Sequence, residues 1–229
     1  MEIRWLGHAA FTLSHDGTTV LVDPFLTGNP KAAVGAGEVE ADAILLSHGH
    51  GDHLGDTVDI ARRTGATVVA IVELAAEIAE QLGGDDQVIA PNLGGTVSFD
   101  WGSVRYVPAW HTSNSPGGSV SIASGLVIEI GGARVYHLGD TALFSDLALP
   151  KRRGHLDVAL VPIGGHYTMD RFDAVVAAEF LGADTIIPMH YNTFPLIEAD
   201  AQAFKADVEQ AGYAQVVVLE PGESHTIRS

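Results

Sequence analysis

Residues 41–53 read ADAILLSHGHGDH. The first seven form an apolar run ending in Ser47, which suits a short strand covered on both faces rather than a surface strand that alternates. At its C-terminal end stand His48, Gly49, His50, Gly51, Asp52 and His53. In an extended loop His48 and His50 point to the same side, so two imidazoles can reach one cation, and the glycines let the backbone turn tightly around it. Asp52 and His53 fall where the chain enters a helix, from which they can turn toward a second ion. Imidazole and carboxylate at this density suit zinc or a similar first-row ion. The bland alternative is a solvated loop with accidental histidines. With 11 histidines in 229 residues, a chance HxHxDH arises in roughly one chain in several hundred, and metal binding is the reading adopted.

Upstream, residues 2–6, 10–14 and 18–22 read as strands broken at Gly7 and His15-Asp16-Gly17, an opening β-meander that Asp23-Pro24 ends. A Gly-rich stretch without strands runs from Thr27 to Glu40. Downstream, the spacing predicts a helix from about Leu54 to Thr64, a strand at 67–72, a helix from about Leu74 to Leu82 and a strand near 87–90. Strands dominate from 96 to 138, with Gly131-Gly132 as a hairpin turn. Helices are expected at about 144–148, 170–181 and 200–211, separated by strands at 158–163 and 185–190, and a strand at 215–221 closes the chain. Both halves mix a meander with α/β units, so the class is α/β, and the length suits one domain over 1–229. The polar motifs fall at strand ends, where layered α/β folds build their sites.

Twelve Lys plus Arg against 29 Asp plus Glu leave a net charge of −17. That field repels polyanions, so neither nucleic acid nor an anionic membrane is an expected partner, and a small-molecule substrate is. There are no cysteines. Any metal site is therefore built from His and carboxylate, without disulfides or a thiol nucleophile. The opening MEIRWLGHAAF has no cationic start and apolar run, and no stretch reaches the length of a membrane span, which makes a cytoplasmic protein the expectation. Association into a homo-oligomer stays open.

Further motifs occur in a fixed order: Asp23 ending an early strand, the HxHxDH loop, His111 in PAWHTS, Asp140 in YHLGDT and His190 in IPMHYNTFP. In that order they resemble the metallo-β-lactamase superfamily over essentially the whole chain. The segments WLGHAAF, PIGGHYTMD and IPMHYNTFP resemble the UPF0173-type metal-dependent hydrolases related to ascorbate-6-phosphate lactonase. The resemblance implies an αβ/βα four-layer sandwich with two central mixed β-sheets flanked by helices. It puts His48, His50 and His111 on a first ion and Asp52, His53 and His190 on a second, with Asp140 bridging and Asp23 fixing the loop by hydrogen bonding. Two divalent ions are implied, zinc foremost, with Mn2+, Ni2+ or Fe2+ fitting the same donors. The family's flavodiiron oxygen reductases carry an acidic residue at the position of His50, so His50 points to hydrolysis.

The implied activity is metal-assisted hydrolysis, with a hydroxide bridging the two ions as nucleophile and Asp52 orienting it. The expected substrate is small and ester-like, a lactone first, a phosphodiester or amide second. The alternative is a catalytically idle metal-binding or regulatory module on the same fold. A tRNA-processing nuclease would need a basic arm, which the chain lacks, and a periplasmic β-lactamase should carry an export signal. Beside the ligands, His8 and His166 are candidates for substrate contact, as are Asn192 and Thr193, which follow His190. Asp170 reads as a helix cap. His15, His155 and His225 suit the surface, His137 suits packing or support of a ligand, and Trp5, Trp101 and Trp110 suit the core.

Overall fold

The computed structural model describes residues 1–227. Its first sheet starts with the expected meander: β1 (Glu2–Gly7), β2 (Ala10–His15) and β3 (Thr18–Val22) pair antiparallel. Asp16 and Gly17 both have positive φ between β2 and β3, as a two-residue hairpin of matching twist requires. Then come β4 (Ala43–Leu45), β5 (Thr67–Val69) and β6 (Val88–Ile89), all parallel to β3. The crossovers carry α1 (Gly51–Leu54), α2 (Thr57–Thr64) and α3 (Val72–Leu82).

The single helix expected from Leu54 to Thr64 is broken at Gly55. Its φ is +44°, and a Cβ there would lie 2.3 Å from the Pro24 carbonyl oxygen. The contact is tertiary: the one-turn α1 is pressed onto the segment after Asp23, and the Asp56 carboxylate accepts from the Leu26 and Thr27 amides. The break thus ties the ligand loop to Asp23.

The second sheet repeats the plan. β7 (Thr96–Phe99), β8 (Gly102–Pro108), β9 (Ser124–Ile130) and β10 (Ala133–His137) form an antiparallel meander. β11 (Val158–Pro162), β12 (Thr185–Met189) and β13 (Gln215–Val216) follow in parallel, with α4 (Arg171–Leu181) and α5 (Ala201–Ala211) in the crossovers. Asp170 and Asp200 cap these helices, each accepting from two backbone amides and each contributing about 1 kcal/mol. Residues 145–148 form a 3-10 turn rather than an α-helix. The closing strand stops at Val216, and the chain crosses to the first sheet, where β14 (Ser224–Thr226) pairs with β1. The exposed edge of β1 is thereby covered, which is what an open strand edge calls for.

The strand orders are β14-β1-β2-β3-β4-β5-β6 and β13-β12-β11-β10-β9-β8-β7. Helices flank both sheets, giving the expected αβ/βα sandwich. Buried residues from the two sheets form one continuous cluster. The Tyr106 hydroxyl on β8 crosses between the sheets to donate to the Val69 carbonyl at 2.7 Å. Asp23 and Ser47 stand at the C-terminal ends of β3 and β4, and His111, Asp140 and His190 follow β8, β10 and β12. The candidate residues therefore gather along one edge of the sandwich.

Candidate metal centre

Asp23 organises the ligand loop. It is fully buried with φ +44°. Its Oδ1 accepts from the Ser47 amide at 2.8 Å, and its Oδ2 accepts from the Ser47 hydroxyl at 2.5 Å and from His53 Nδ1 at 2.7 Å. The Ser47 hydroxyl, having donated its proton to Asp23, accepts from His48 Nδ1 at 3.0 Å. Both imidazoles are thereby held with Nε2 turned away from Asp23, the orientation a metal-binding histidine needs. Ser47 had no signal in the sequence beyond its place at a strand end.

The loop after His111 is fixed by different means. Ser113 Oγ accepts from the Gly49 amide at 3.1 Å, and the Glu77 carboxylate on α3 accepts from the Ser115 hydroxyl and the Ser119 amide. With β8 ended, the chain turns His111 toward the cluster, and its neighbour Trp110 points outward, 69% exposed. That departs from the core placement expected of the tryptophans, which Trp5 does satisfy. His137 takes a supporting role: Nε2 donates to the Ala9 carbonyl at 2.9 Å, and Nδ1 accepts from the Gly139 amide at 3.1 Å. Gly139 has φ +62°, and a Cβ would lie 2.9 Å from that of Ser47. This close approach seats the Asp140 turn on the ligand loop.

All seven candidate ligands meet. Nitrogen atoms of His48, His50 and His111 lie within 4.8 Å of one another, as do ligand atoms of Asp52, His53 and His190 together with His8. Asp140 stands between the groups: Oδ1 is 3.2 Å from His53 Nε2, and Oδ2 is 3.1 Å from His190 Nε2 and 3.5 Å from His111 Nε2. His53 Nε2, Asp140 Oδ1 and both His190 nitrogens are buried without an aligned hydrogen bond. Each such atom costs about 1–3 kcal/mol when left unmatched. The donor set is thus one that cations complete, and His and carboxylate are what zinc-like ions bind.

Electrostatics point the same way. Burial would depress the His53 pKa, but Asp140 and Asp23 on either side hold it well above the ordinary range. Burial would raise Asp140, and His190 and His53 instead hold it well below. Burial and the charge of His53 push His48 well below its usual value. Two carboxylates around one buried imidazole call for positive charge, which a metal ion supplies in place of the proton.

His8, expected near the cleft, lies within it. Burial first, and then the charge of His190, push its pKa down to about 4, so the ring is neutral and carries one proton. Nε2 donates to Asp52 Oδ2 at 3.1 Å and Nδ1 accepts from the Thr193 hydroxyl at 2.8 Å. Asn192 and Thr193, expected to meet substrate, each make hydrogen bonds within the protein. Thr193 serves His8, and the Asn192 amide bonds both backbone groups of Ala199. His166 is exposed with its ring against Tyr167 at 4.6 Å. Tyr167, not His166, faces the cluster, across a cavity of about 390 Å³ that reaches His50, Asp52, His111 and Asp140.

A family model described as a β-lactamase superfamily domain matches residues 2–190. A UPF0173 metal-dependent hydrolase of Thermus thermophilus is 47% identical over 224 residues, 97% of each chain. The chain belongs to the UPF0173 metal-dependent hydrolases of this superfamily. A second UPF0173 relative, from Methanopyrus kandleri, is 46% identical over 98% of this chain and 99% of its own. The solved structure of a metallo hydrolase from the archaeon Ignicoccus hospitalis superposes with a TM-score of 0.90 at 38% identity, covering 100% of this chain and 98% of that one. Among the described residues of this UPF0173 hydrolase, no helix is long and apolar enough to cross a membrane.

Proposed function

We propose that this metal-dependent hydrolase is dinuclear and cleaves a small ester-like substrate, a lactone first, a phosphodiester or amide second. The supporting observation is the pair of ligand groups that share Asp140. Zinc is the ion of choice for donors of this kind, with manganese, nickel or iron fitting the same atoms. A bound ion pair supplies Lewis acidity and lowers the pKa of water toward neutrality.

The chain's own groups do the rest. His48, His50 and His111 would hold one ion and Asp52, His53 and His190 the other, with Asp140 placed to serve both. Asp52 keeps a partly exposed carboxylate edge at the cavity, while His8 donates to its Oδ2. It is placed to orient water and to take a proton. Thr193 fixes the His8 ring by donating to Nδ1, so Thr193, His8 and Asp52 form one chain of hydrogen bonds ending at the cavity. The open cavity speaks against an idle module, whose cleft its own loops would fill. The net charge of −17 favours a small molecule over nucleic acid as partner, and a cytoplasmic setting suits the cysteine-free chain.

The test is to load the purified protein with each metal and assay lactones, phosphodiesters and β-lactams beside a His48→Ala variant. Turnover that depends on His48 is expected; equal turnover in the variant contradicts the reading.

A further inference from the structure

Beyond its candidate ligands, the cavity over the metal cluster is lined by Thr112, Tyr167, Phe194 and Leu196. None carries a charge. Phe194 is a fixed wall: its ring packs against His8 at 5.6 Å and Phe25 at 6.3 Å. Leu196 is 57% exposed although its neighbour Ile197 is fully buried. The turn Pro195–Ile197 explains both, because anchoring Ile197 in the core turns Leu196 outward to the cavity. Asn192 builds that turn: with φ +57°, it receives the Ala199 amide on Oδ1 at 2.9 Å and donates to the Ala199 carbonyl at 3.2 Å. Across the cavity Tyr167 is 53% exposed.

Two exposed apolar side chains and a fixed aromatic ring facing one metal cluster form a surface that gains by covering an apolar ligand group. Cations are absent from this lining. Lys31 lines a separate groove reached past Phe194 and Pro195. A carboxylate or phosphate placed against Tyr167 and Leu196 would lose water and meet no cationic side chain, only the hydroxyls of Tyr167 and Thr112. We infer that the substrate carries an uncharged aryl or alkyl group next to the bond cleaved, held by Tyr167, Phe194 and Leu196. Asn192 is a positioning residue for this subsite, acting through the 195–197 turn. The inference rests on the hydrolase reading for the bond broken, but concerns the part of the substrate that does not react.

Two pairs of probes separate the claims. Phenyl acetate and 4-carboxyphenyl acetate serve as substrates of the metal-loaded protein. Benzylacetone and its para-carboxylated analogue, ketones of related shape that cannot be hydrolysed, are titrated by NMR. The neutral ketone is expected to bind about tenfold or more tightly than the charged one, because only the latter must desolvate a carboxylate against an uncharged wall. In a Tyr167→Ala/Leu196→Ala variant, whose changes are at exposed positions and leave Tm and metal content unaltered, that preference falls to less than threefold. Asn192→Ala raises KM for phenyl acetate several-fold with kcat and metal content little changed. Equal or tighter binding of the carboxylated ketone, or a preference undiminished in the double variant, overturns the inference whatever the esters do. Turnover of neither ester nor of any lactone, phosphodiester or β-lactam, while the neutral ketone binds as expected, counts against the hydrolase reading and leaves the subsite standing.

Discussion

The two halves of the sandwich solve the same problem differently. The first half delivers four candidate ligands in the six residues from His48 to His53, oriented by Asp23 and Ser47 at neighbouring strand ends. The second half delivers three, His111, Asp140 and His190, each from a different strand end and each held by its own contacts. In the first, the ligands are contiguous and their geometry depends on hydrogen bonds between one loop and Asp23 at the neighbouring strand end. In the second it depends on assembly of the whole sheet, because only register brings β8, β10 and β12 to a common edge.

Asp140 is where the halves meet, so removing it breaks the comparison most severely. Asp140→Ala leaves His53, His111 and His190 without the carboxylate they share, and elemental analysis should find metal content reduced by at least half. The rise in Tm on metal loading should vanish with it. Gly139→Ala tests the seam itself: the left-handed φ alone costs about 1–3 kcal/mol, and the approach to Ser47 adds to it. Thermal unfolding of the metal-free variant should show that loss, and an unchanged Tm would mean the halves are not tightly seated here. Asp23→Asn tests the local half. Removing the charge that orients His53 should weaken metal binding about 10–100-fold, measured by competition with a chelator, while the second half's Thr193→Ala, acting only through His8, should lower turnover and spare metal content.

The smallest effect lies far from the seam. The Asp184 hydrogen bond and charge raise the His155 pKa above 6.5. The folded state therefore binds that proton more tightly than the unfolded one, so its contribution is complete below about 6.5 and is lost as pH rises through the folded value. Both side chains are exposed, and the gain is correspondingly slight. NMR titration should return His155 to the ordinary range in Asp184→Asn.

The same contrast governs what could be read in advance. The contiguous HxHxDH loop carries its own evidence, and the alternation of strands and helices gives the sandwich. His111, Asp140 and His190 are single residues whose meaning came from their order along the chain rather than from local pattern. The break at Gly55 was invisible because its cause is the distant Pro24 carbonyl. β14 went unseen because it is made by the open edge of β1. The bonds of Asn192 and Thr193 are not legible in the sequence, since the groups they bond, Ala199 and His8, are brought beside them only by the fold.

Crystals grown with zinc and measured at its absorption edge test the central claim most directly. Two anomalous peaks are expected, one among His48, His50 and His111, the other among Asp52, His53 and His190, with Asp140 between them. Peaks absent from this cluster, or confined to a surface group such as His155, Asp157 and Asp184, would contradict it.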